Sequence, residues 1–351
     1  MNSKKRILVA PLDWGLGHAS RCIPIIRQLQ QHNFEVLVGS YGRSEQLLKE
    51  EFPTLKFIRI EGVQIKYHNR IPLSVSMFLQ IPKIIYSIFK EHREIQQIVE
   101  DYKIDGIISD NRYGLYLSNT PSVFITHQLQ IKTPVLKMFL QKINYYFIEK
   151  FTKCWIIDSK EDNLAGTLSN PKKLPNNHKY IGTQSRLKWS EGKMKYNIGV
   201  ILSGPEPQRS NFEKIILSQL EMYNKKAVVI LGKTESKETI QKGETTIINY
   251  ANSKEINQYI LQSEMIICRS GYSSIMDLEK LNKKAILIAT PGQTEQEYLA
   301  NRLSEKRICF STTQNNFNLN TAISESEKYT GFIKLENMET NWKEVFNIFE
   351  E

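Results

Sequence analysis

The chain has 351 residues, of which 40% are hydrophobic and 24% charged, the values of a globular protein long enough for two domains. Its 47 basic and 37 acidic residues give a net charge of +10, which favours nucleotide phosphates, nucleic acid or an anionic membrane surface as partners. The four cysteines have no CxxC spacing and predict neither a zinc site nor a disulfide framework. No apolar run reaches the roughly 18 residues of a membrane-spanning helix, so a soluble or peripheral protein of the reducing cytosol is expected.

The first half alternates short apolar runs with segments of helical periodicity. Strands are predicted at RILVA, FEVLVG, LKFIRI, DGIISD, SVFITH and CWIID, and helices near 19–31, 43–50, 74–101 and 134–152. This alternation predicts a parallel sheet covered on both faces. The polar segment 175–195, with scattered glycines, is interpreted as a linker.

The same pattern then restarts. Strands are predicted at YNIGVILSG, KAVVILG, TTIINY, EMIICRS and KAILIAT, and helices near 209–223, 253–262, 273–281 and 295–305. The predicted fold is α/β, with two tandem Rossmann-like doubly wound domains, residues 1–185 and 186–351, and the cleft between them is the expected site. The final NWKEVFNIFEE is predicted to be a short helix that packs across the domain junction or back on the first domain.

The loop PLDWGLGHASR, residues 11–21, lies between a predicted strand and a predicted helix. Its Gly15, Gly17 and Ser20 are nearly the dinucleotide-binding pattern, with serine in place of the third glycine. A nicotinamide-dependent oxidoreductase is disfavoured because EVLVGSYGR has no acid at the end of the second strand. Taken alone, the loop is typical of either a tight turn or a ligand site.

Residues 268–303 carry the most informative motif. A Ser270-Gly271 turn before a helix suits a diphosphate, since free backbone N–H groups and the helix dipole both attract anions. Asp277 lies further along that helix, where a carboxylate can accept both hydroxyls of a ribose. Glu295 and Gln296 open the helix after the next strand and can bind sugar hydroxyls.

This stretch resembles the donor-binding half of the GT-B nucleotide-sugar glycosyltransferases, and in particular glycosyltransferase family 28, which includes the peptidoglycan N-acetylglucosaminyltransferases. The first half is similar to that family at GLGHASRCIP and at FITHQLQIKTP, where the family's glutamate is absent. IGTQSR resembles its linker, and LSGPEPQR occupies the position of its glycine-rich loop but carries two prolines and an arginine.

The resemblance implies roles for residues in both halves. The implied donor-binding residues are Gly17, Arg186, Ser203, Gly204, Arg209, Ser270, Gly271, Tyr272, Ser273, Asp277, Glu295 and Gln296. Asp13, His127 and Gln128 are assigned to the acceptor side. His18 is the expected general base, because an imidazole with a reference pKa of ~6.5 takes a proton near neutral pH. Asp110 would orient that ring, with Asp13 as the competitor for this role.

The expected activity is transfer of a sugar from a nucleoside diphosphate sugar, UDP-linked and with UDP-GlcNAc as a candidate, to a hydroxyl of a glycan or lipid-linked acceptor. The resemblance implies inversion, and no metal or other cofactor is expected because no Asp-x-Asp motif is evident. The alternatives are a nucleotide-sugar 2-epimerase or hydrolase on the same fold and a non-catalytic nucleotide-sugar-binding protein. Nucleic acid is disfavoured because no recognised module accompanies the charge.

Residues 71–93 combine an unusually wide apolar helical face with basic side chains. Such a stripe is usually core, and the alternative is contact with a membrane surface or a lipid acceptor. The expected location is the cytoplasm, with association at the inner face of the membrane as a further hypothesis.

Overall fold

The computed structural model describes residues 4–63, 79–131, 137–233, 236–332 and 340–350. The chain divides into two compact units. The first is Met1–Gln184 together with Met338–Glu351, and the second is Ser185–Asn337. Among the described residues, each unit contains one seven-stranded sheet.

The sheet of the first unit is parallel throughout, in the order β3-β2-β1-β4-β5-β6-β7. Its strands are β1 (Arg6–Pro11), β2 (Glu35–Ser40), β3 (Lys56–Arg59), β4 (Gly106–Asp110), β5 (Ser122–Thr126), β6 (Lys153–Ile156) and β7 (His178–Tyr180). The accompanying helices are α1 (Leu16–Gln31), α2 (Gly42–Glu51), α3 (Ile81–Tyr102) and α4 (Lys137–Ile148). The strands β1, β4 and β5 are almost wholly buried, because helices on both faces require continuous apolar runs.

The second unit repeats this plan with one antiparallel edge, in the order β10-β11-β9-β8-β12-β13-β14. Its strands are β8 (Tyr196–Ile201), β9 (Ala227–Ile230), β10 (Thr239–Lys242), β11 (Thr245–Ile248), β12 (Ser263–Cys268), β13 (Lys284–Ala289) and β14 (Phe310–Thr313). Its helices are α5 (Gln208–Leu220), α6 (Ser253–Leu261), α7 (Tyr272–Lys280), α8 (Thr294–Glu305) and α9 (Leu319–Ser326). The α6 helix begins with a capping box between Asn252 and Glu255, which satisfies N–H groups that a helix start leaves unpaired.

The end of the chain packs on the first unit. Helix α10 (Trp342–Phe346) continues as a short 3-10 turn, Asn347–Phe349. The rings of Phe346 and Phe349 are each 1% exposed and pack against Phe34 and Trp155. A Cβ at Gly106 would lie 2.4 Å from a Phe349 ring carbon, so β4 has a glycine where this ring approaches the backbone.

The alternation of strands and helices predicted from the sequence is confirmed, and the α/β class with it. Two differences from the prediction concern individual elements. Residues 178–180 were expected in a linker but pair with β6 as β7. The strands β10 and β14 were not predicted, because TIQK and FSTT lack an apolar run, and the helix α9 was also not predicted. The first residues of two predicted helices, 74–78 and 134–136, lie outside the described part of the chain.

Candidate functional site

Both sheets have a point where the strand order reverses direction. In the first unit this point lies between β1 and β4, which pair in parallel with Pro11 opposite Asp110. Ligands of doubly wound sheets bind beyond the carboxyl ends of the strands at such a switch point. The loop that follows β1 leads into α1, whose first turn carries His18.

Three predicted residues meet at this switch point. His18 Nδ1 lies 3.2 Å from Asp110 Oδ1, as expected for a ring oriented by a carboxylate. The carboxylate of Asp110 is fully buried, whereas the His18 side chain keeps 20% of its surface exposed. Arg21 joins the pair by donating from Nε to Asp110 Oδ2 at 2.6 Å and from Nη2 to Asp110 Oδ1. His127 follows β5, and its Nδ1 lies 2.9 Å from Arg21 Nη1.

The charges of this cluster shift two pKa values in opposite ways. Burial lowers the pKa of His18 below its usual value, and Arg21 adds to this effect while Asp110 opposes it. Burial would raise the pKa of Asp110, but Arg21 and then His18 outweigh burial and hold that pKa well below its ordinary value. At neutral pH the cluster therefore holds an ionised Asp110 beside a neutral His18.

The other residues predicted for the first unit, Asp13, Gln128 and Gly17, differ from one another in their surroundings. Asp13 Oδ1 is buried and makes no hydrogen bond within the described residues. A Cβ at Gly62 would lie 2.5 Å from that oxygen, so the glycine leaves the space that the carboxylate occupies. The backbone N–H of Gln128 donates to Thr126 Oγ1 at 3.0 Å, which closes the end of β5. Gly17 accepts a hydrogen bond from the Ser20 hydroxyl within the first turn of α1.

The switch point of the second unit lies between β8 and β12. Ser270 and Gly271 follow β12 and lead into α7 at Tyr272, with Ser273 in its first turn. Ser270 Oγ donates to the backbone oxygen of Gln296 at 2.8 Å, so this turn is tied to the start of α8.

Gln296 organises the loop after β13. Its side-chain oxygen accepts the Thr290 N–H at 2.9 Å, and its side-chain nitrogen donates to Gln293 at 2.5 Å. The predicted sugar-binding amide is thus engaged within its own loop. Glu295, its partner in the predicted pair, is half-buried in the first turn of α8.

Asp277 lies on α7 beside the start of the second unit. Ser185 Oγ donates to Asp277 Oδ1 at 2.5 Å, and Arg186 Nε lies 4.0 Å from Asp277 Oδ2. Burial raises the pKa of this carboxyl above its ordinary value, and Arg186 and Ser185 partly offset the effect. Arg186 also donates to Ser253 Oγ at 3.0 Å.

The loop after β8 holds two kinds of predicted donor residue. Ser203 and Gly204 are exposed, and Gly204 has a φ of 105°, a conformation that favours glycine. Arg209 instead donates to Glu206 and Glu213, both at 2.7 Å, and to the backbone oxygen of Leu231. Its positive charge is therefore paired within the loop and helix α5.

Three polar side chains at or beside the switch points were not predicted from the sequence. Arg21 is described above, and Thr290 carries a buried hydroxyl with no hydrogen-bond partner in the described residues. Arg269, 1% exposed, donates to the backbone oxygens of Ala289 and Gln208 and to Gln314 Oε1 at 2.6 Å. Burial lowers its pKa to about 10, and its bonds go to neutral groups. The available signal was the arginine of CRSG, next to the turn that the motif singled out.

Two further properties hold for the described part of the chain. It contains no group of three or more His, Cys, Asp or Glu side chains arranged to hold a metal ion. None of its helices combines the length and apolar character that crossing a membrane requires.

Comparison with known proteins gives matches in both units. Residues 208–345 match the glycosyltransferase family 28 C-terminal domain, and residues 5–128 match a model of glycosyl transferase family 1. A UDP-N-acetylglucosamine–N-acetylmuramyl-(pentapeptide) pyrophosphoryl-undecaprenol N-acetylglucosamine transferase of Pasteurella multocida (strain Pm70) is 20% identical over 305 residues, which are 84% of this chain and 80% of the relative.

Solved structures share the fold across nearly the whole chain. MurG of Acinetobacter baumannii aligns over 93% of both chains with a TM-score of 0.56 and 13% identity. The spinosyn rhamnosyltransferase SpnG, solved in complex with thymidine diphosphate, aligns over 99% of this chain and 92% of its own with a TM-score of 0.60 and 12% identity.

The two doubly wound units, each with polar residues at its switch point, have the GT-B fold that these solved structures share. The chain is a glycosyltransferase, and its residues 208–345 match the family 28 C-terminal domain.

Proposed function

We propose that this glycosyltransferase moves a sugar from a UDP-sugar, with UDP-GlcNAc as the first candidate, to a hydroxyl of a glycan or lipid-linked acceptor. The acceptor oxygen attacks the anomeric carbon while the bond from that carbon to the diphosphate oxygen breaks and its electron pair leaves with the diphosphate. The acceptor proton passes to Nε2 of His18. Attack opposite the leaving group inverts the anomeric carbon, and no metal is required by this scheme.

The observation that carries the proposal is the His18–Asp110 pair at the switch point of the first sheet. His18 is partly exposed, so its ring can meet an acceptor, and its lowered pKa favours the neutral form that a base needs. The fully buried Asp110 stabilises the imidazolium that forms when the proton is taken.

The donor is assigned to the second unit. The Ser270-Gly271 turn at the N-terminus of α7 suits the diphosphate, and Asp277 suits the ribose hydroxyls once Ser185 yields its hydrogen bond. Arg186 lies beside Asp277, whereas Arg209 is already paired with two carboxylates. Of the two arginines predicted to face the departing diphosphate, Arg186 is therefore the better supported.

Helix α3 supports the proposals for the acceptor and for the location of the protein. Tyr86 and Phe89 are 70% and 57% exposed, and Lys83, Lys90 and Arg93 are exposed on the same helix. An apolar patch among basic groups suits an anionic membrane surface. This supports a lipid-linked acceptor met at the inner face of the cytoplasmic membrane. Residues 71–78 of the apolar stripe lie outside the described residues.

The decisive experiment compares His18→Ala with His178→Ala in transfer assays on a panel of UDP- and TDP-sugars. General-base catalysis supplies ~10²–10⁴-fold, so His18→Ala should lose that much turnover while donor affinity stays within about a factor of three. His178 is exposed on β7 and serves as the matched control, which should retain turnover. Circular dichroism checks that both variants are folded.

Each outcome of this assay decides something. If His18→Ala keeps more than about a tenth of the turnover with saturating acceptor, His18 is a structural residue and the base is wrongly assigned. Conversion of the donor without any acceptor would identify an epimerase or hydrolase instead. Tight donor binding with no conversion under any acceptor would contradict transfer by this chain. Preference for TDP-sugars would overturn the choice of UDP.

A further inference from the structure

Arg21 is a buried arginine in the middle of the first-unit cluster. Helix α1 places it one turn after His18, so that both side chains lie on the same face. The Arg21 side chain is 3% exposed and makes a bidentate pair with Asp110, in which its Nε and Nη2 are the donors. The remaining contacts of the guanidinium include His18 Nδ1 at 2.7 Å and His127 Nδ1 at 2.9 Å. A buried cation thus joins every imidazole and carboxylate of this cluster.

The direction of these bonds determines where the imidazole protons lie. A guanidinium carries N–H donors and no acceptor, so a ring nitrogen bonded to it must present a lone pair. The Nδ1 atoms of His18 and His127 meet Arg21 in this way. In each neutral ring the proton is therefore on Nε2.

His18 Nδ1 has a second partner that requires the opposite arrangement. Asp110 Oδ1 lies 3.2 Å away, and an ionised carboxylate only accepts, so this contact needs a proton on Nδ1. One nitrogen cannot serve both partners at once, and the contact with Arg21 is the shorter. Base catalysis at Nε2 requires the Asp110-bonded form, since only that form leaves a lone pair on Nε2.

We propose that Arg21 is a positioning residue that sets the tautomer of His18 by competing with Asp110 for Nδ1. Bonded to Arg21, the ring keeps its proton on Nε2 and is a donor. Bonded to Asp110, the ring has its proton on Nδ1 and Nε2 becomes the base. The change moves one proton from Nε2 to Nδ1 through water and leaves the charge of the cluster unchanged. The inference rests on the proposed role of His18 as the base.

The groups that face His18 also set how readily it charges. They are Arg21 on α1, Asp110 on β4 and His127 after β5. The thiol of Cys22 contacts Asp110 Oδ2 from α1. Burial is the largest cause that lowers the pKa of His18, and Arg21 is the next. Removing the positive charge of Arg21 leaves Asp110 unopposed, so the pKa of His18 should rise.

Nitrogen-15 NMR of histidine-labelled protein measures the tautomer and the pKa of His18 directly, and His18→Gln assigns its signals. In the unliganded wild type we expect the Nε2–H form. In Arg21→Met we expect the Nδ1–H form and a pKa raised by about one to three units, with the acid limb of the transfer rate moving by the same amount. Arg21→Lys keeps the charge and should leave the pKa within about half a unit of wild type.

An Nδ1–H form in the unliganded wild type would overturn the inference. This test needs no variant, so the inference can be tested even if Arg21→Met does not fold. An unchanged pKa in folded Arg21→Met would overturn it as well. The NMR readout does not depend on turnover, which separates this test from that of the function. Full activity of His18→Ala would refute the assignment of His18 as the base. The NMR measurements would still show whether Arg21 sets the tautomer of His18.

Discussion

At the scale of single residues, Asp277 holds a carboxylate in a buried position with a hydroxyl and a guanidinium as its neighbours. Burial raises its pKa, so the free protein holds this charge at a cost, and ribose hydroxyls would add donors that favour the ionised form. The bond from Ser185 must be exchanged when such a ligand arrives.

Asp277→Ala should therefore weaken donor binding and leave the His18 cluster intact. A hydrogen bond to a charged group contributes ~1.5–3 kcal/mol, so the dissociation constant for UDP should rise by one to two orders of magnitude. Isothermal titration calorimetry measures it, with Ser185→Ala as the control, which removes the bond to Asp277 and the one that Ser185 Oγ accepts from the Leu187 N–H but keeps the carboxylate. Unchanged UDP affinity in a folded Asp277→Ala protein would exclude the ribose role.

Arg269 allows a second test, because its buried charge is held by neutral acceptors next to the Ser270-Gly271 turn. A positive charge in this position favours an anion bound at the turn. Arg269→Gln should weaken UDP binding by about tenfold and uridine binding much less. Titrations with both ligands give the ratio. Equal losses for UDP and uridine would show that Arg269 only supports the loop.

The pH dependence of transfer follows from the direction of the His18 shift. The neutral imidazole is the active form and is lost as the pH falls through the pKa of His18. Since that pKa is lowered, the acid limb of kcat/KM should lie below the reference value of ~6.5. Rates at saturating and limiting donor, measured between mildly acidic and neutral pH, locate this limb. A limb above the reference value would contradict the assignment.

At the scale of elements, helix α3 combines a core face with an exposed face. Ile88 and Ile95 are buried, whereas Tyr86, Phe89 and Ile85 are exposed. Part of the predicted apolar stripe therefore belongs to the core. Within the described residues, the rings of Tyr86 and Phe89 remain exposed.

Tyr86→Ser with Phe89→Ser should reduce sedimentation with anionic vesicles and leave the melting temperature nearly intact, because exposed side chains contribute little to folding. Ile88→Ala is the matched core control and should lower the melting temperature while binding persists in the folded protein. A large fall in melting temperature for the double variant would show that these rings belong to the core. Undiminished sedimentation would exclude this face as the membrane contact.

The sequence predicts elements that bury apolar runs and misses those that do not. β1, β4, β8 and β12 contain apolar runs, whereas β10 is exposed at every position and three of the four residues of β14 are polar. The two glycine-containing motifs follow β1 and β12, which are strands next to the switch points. Arg21 was missed because an arginine is normally a surface residue, and its partner Asp110 is 89 positions away in the sequence. Only the pairing of β1 with β4 brings the two together.

At the scale of the whole molecule, the first unit is completed by the end of the chain. Phe349 packs against β4, Phe34 and Trp155, and replacing a buried phenylalanine with alanine costs about 3–5 kcal/mol. In differential scanning calorimetry, Phe349→Ala should lower the unfolding temperature of the first unit and leave the unfolding temperature of the second unit unchanged. Glu344→Ala, which removes only an exposed ion pair with Lys179, is the control. A shift of the second transition alone would contradict this assignment.

Because the chain returns to its first unit, the second unit is an insertion within the sequence of the first. A protease that cuts once within the polar stretch 188–195 would leave a front fragment and a rear fragment that share no peptide bond. The rear fragment still carries Phe346 and Phe349, seated on the sheet of the front fragment. The cleaved protein should therefore elute from a gel-filtration column as a single species. The two fragments should separate when the packing of these two phenylalanines is disrupted by Phe349→Ala or by denaturant.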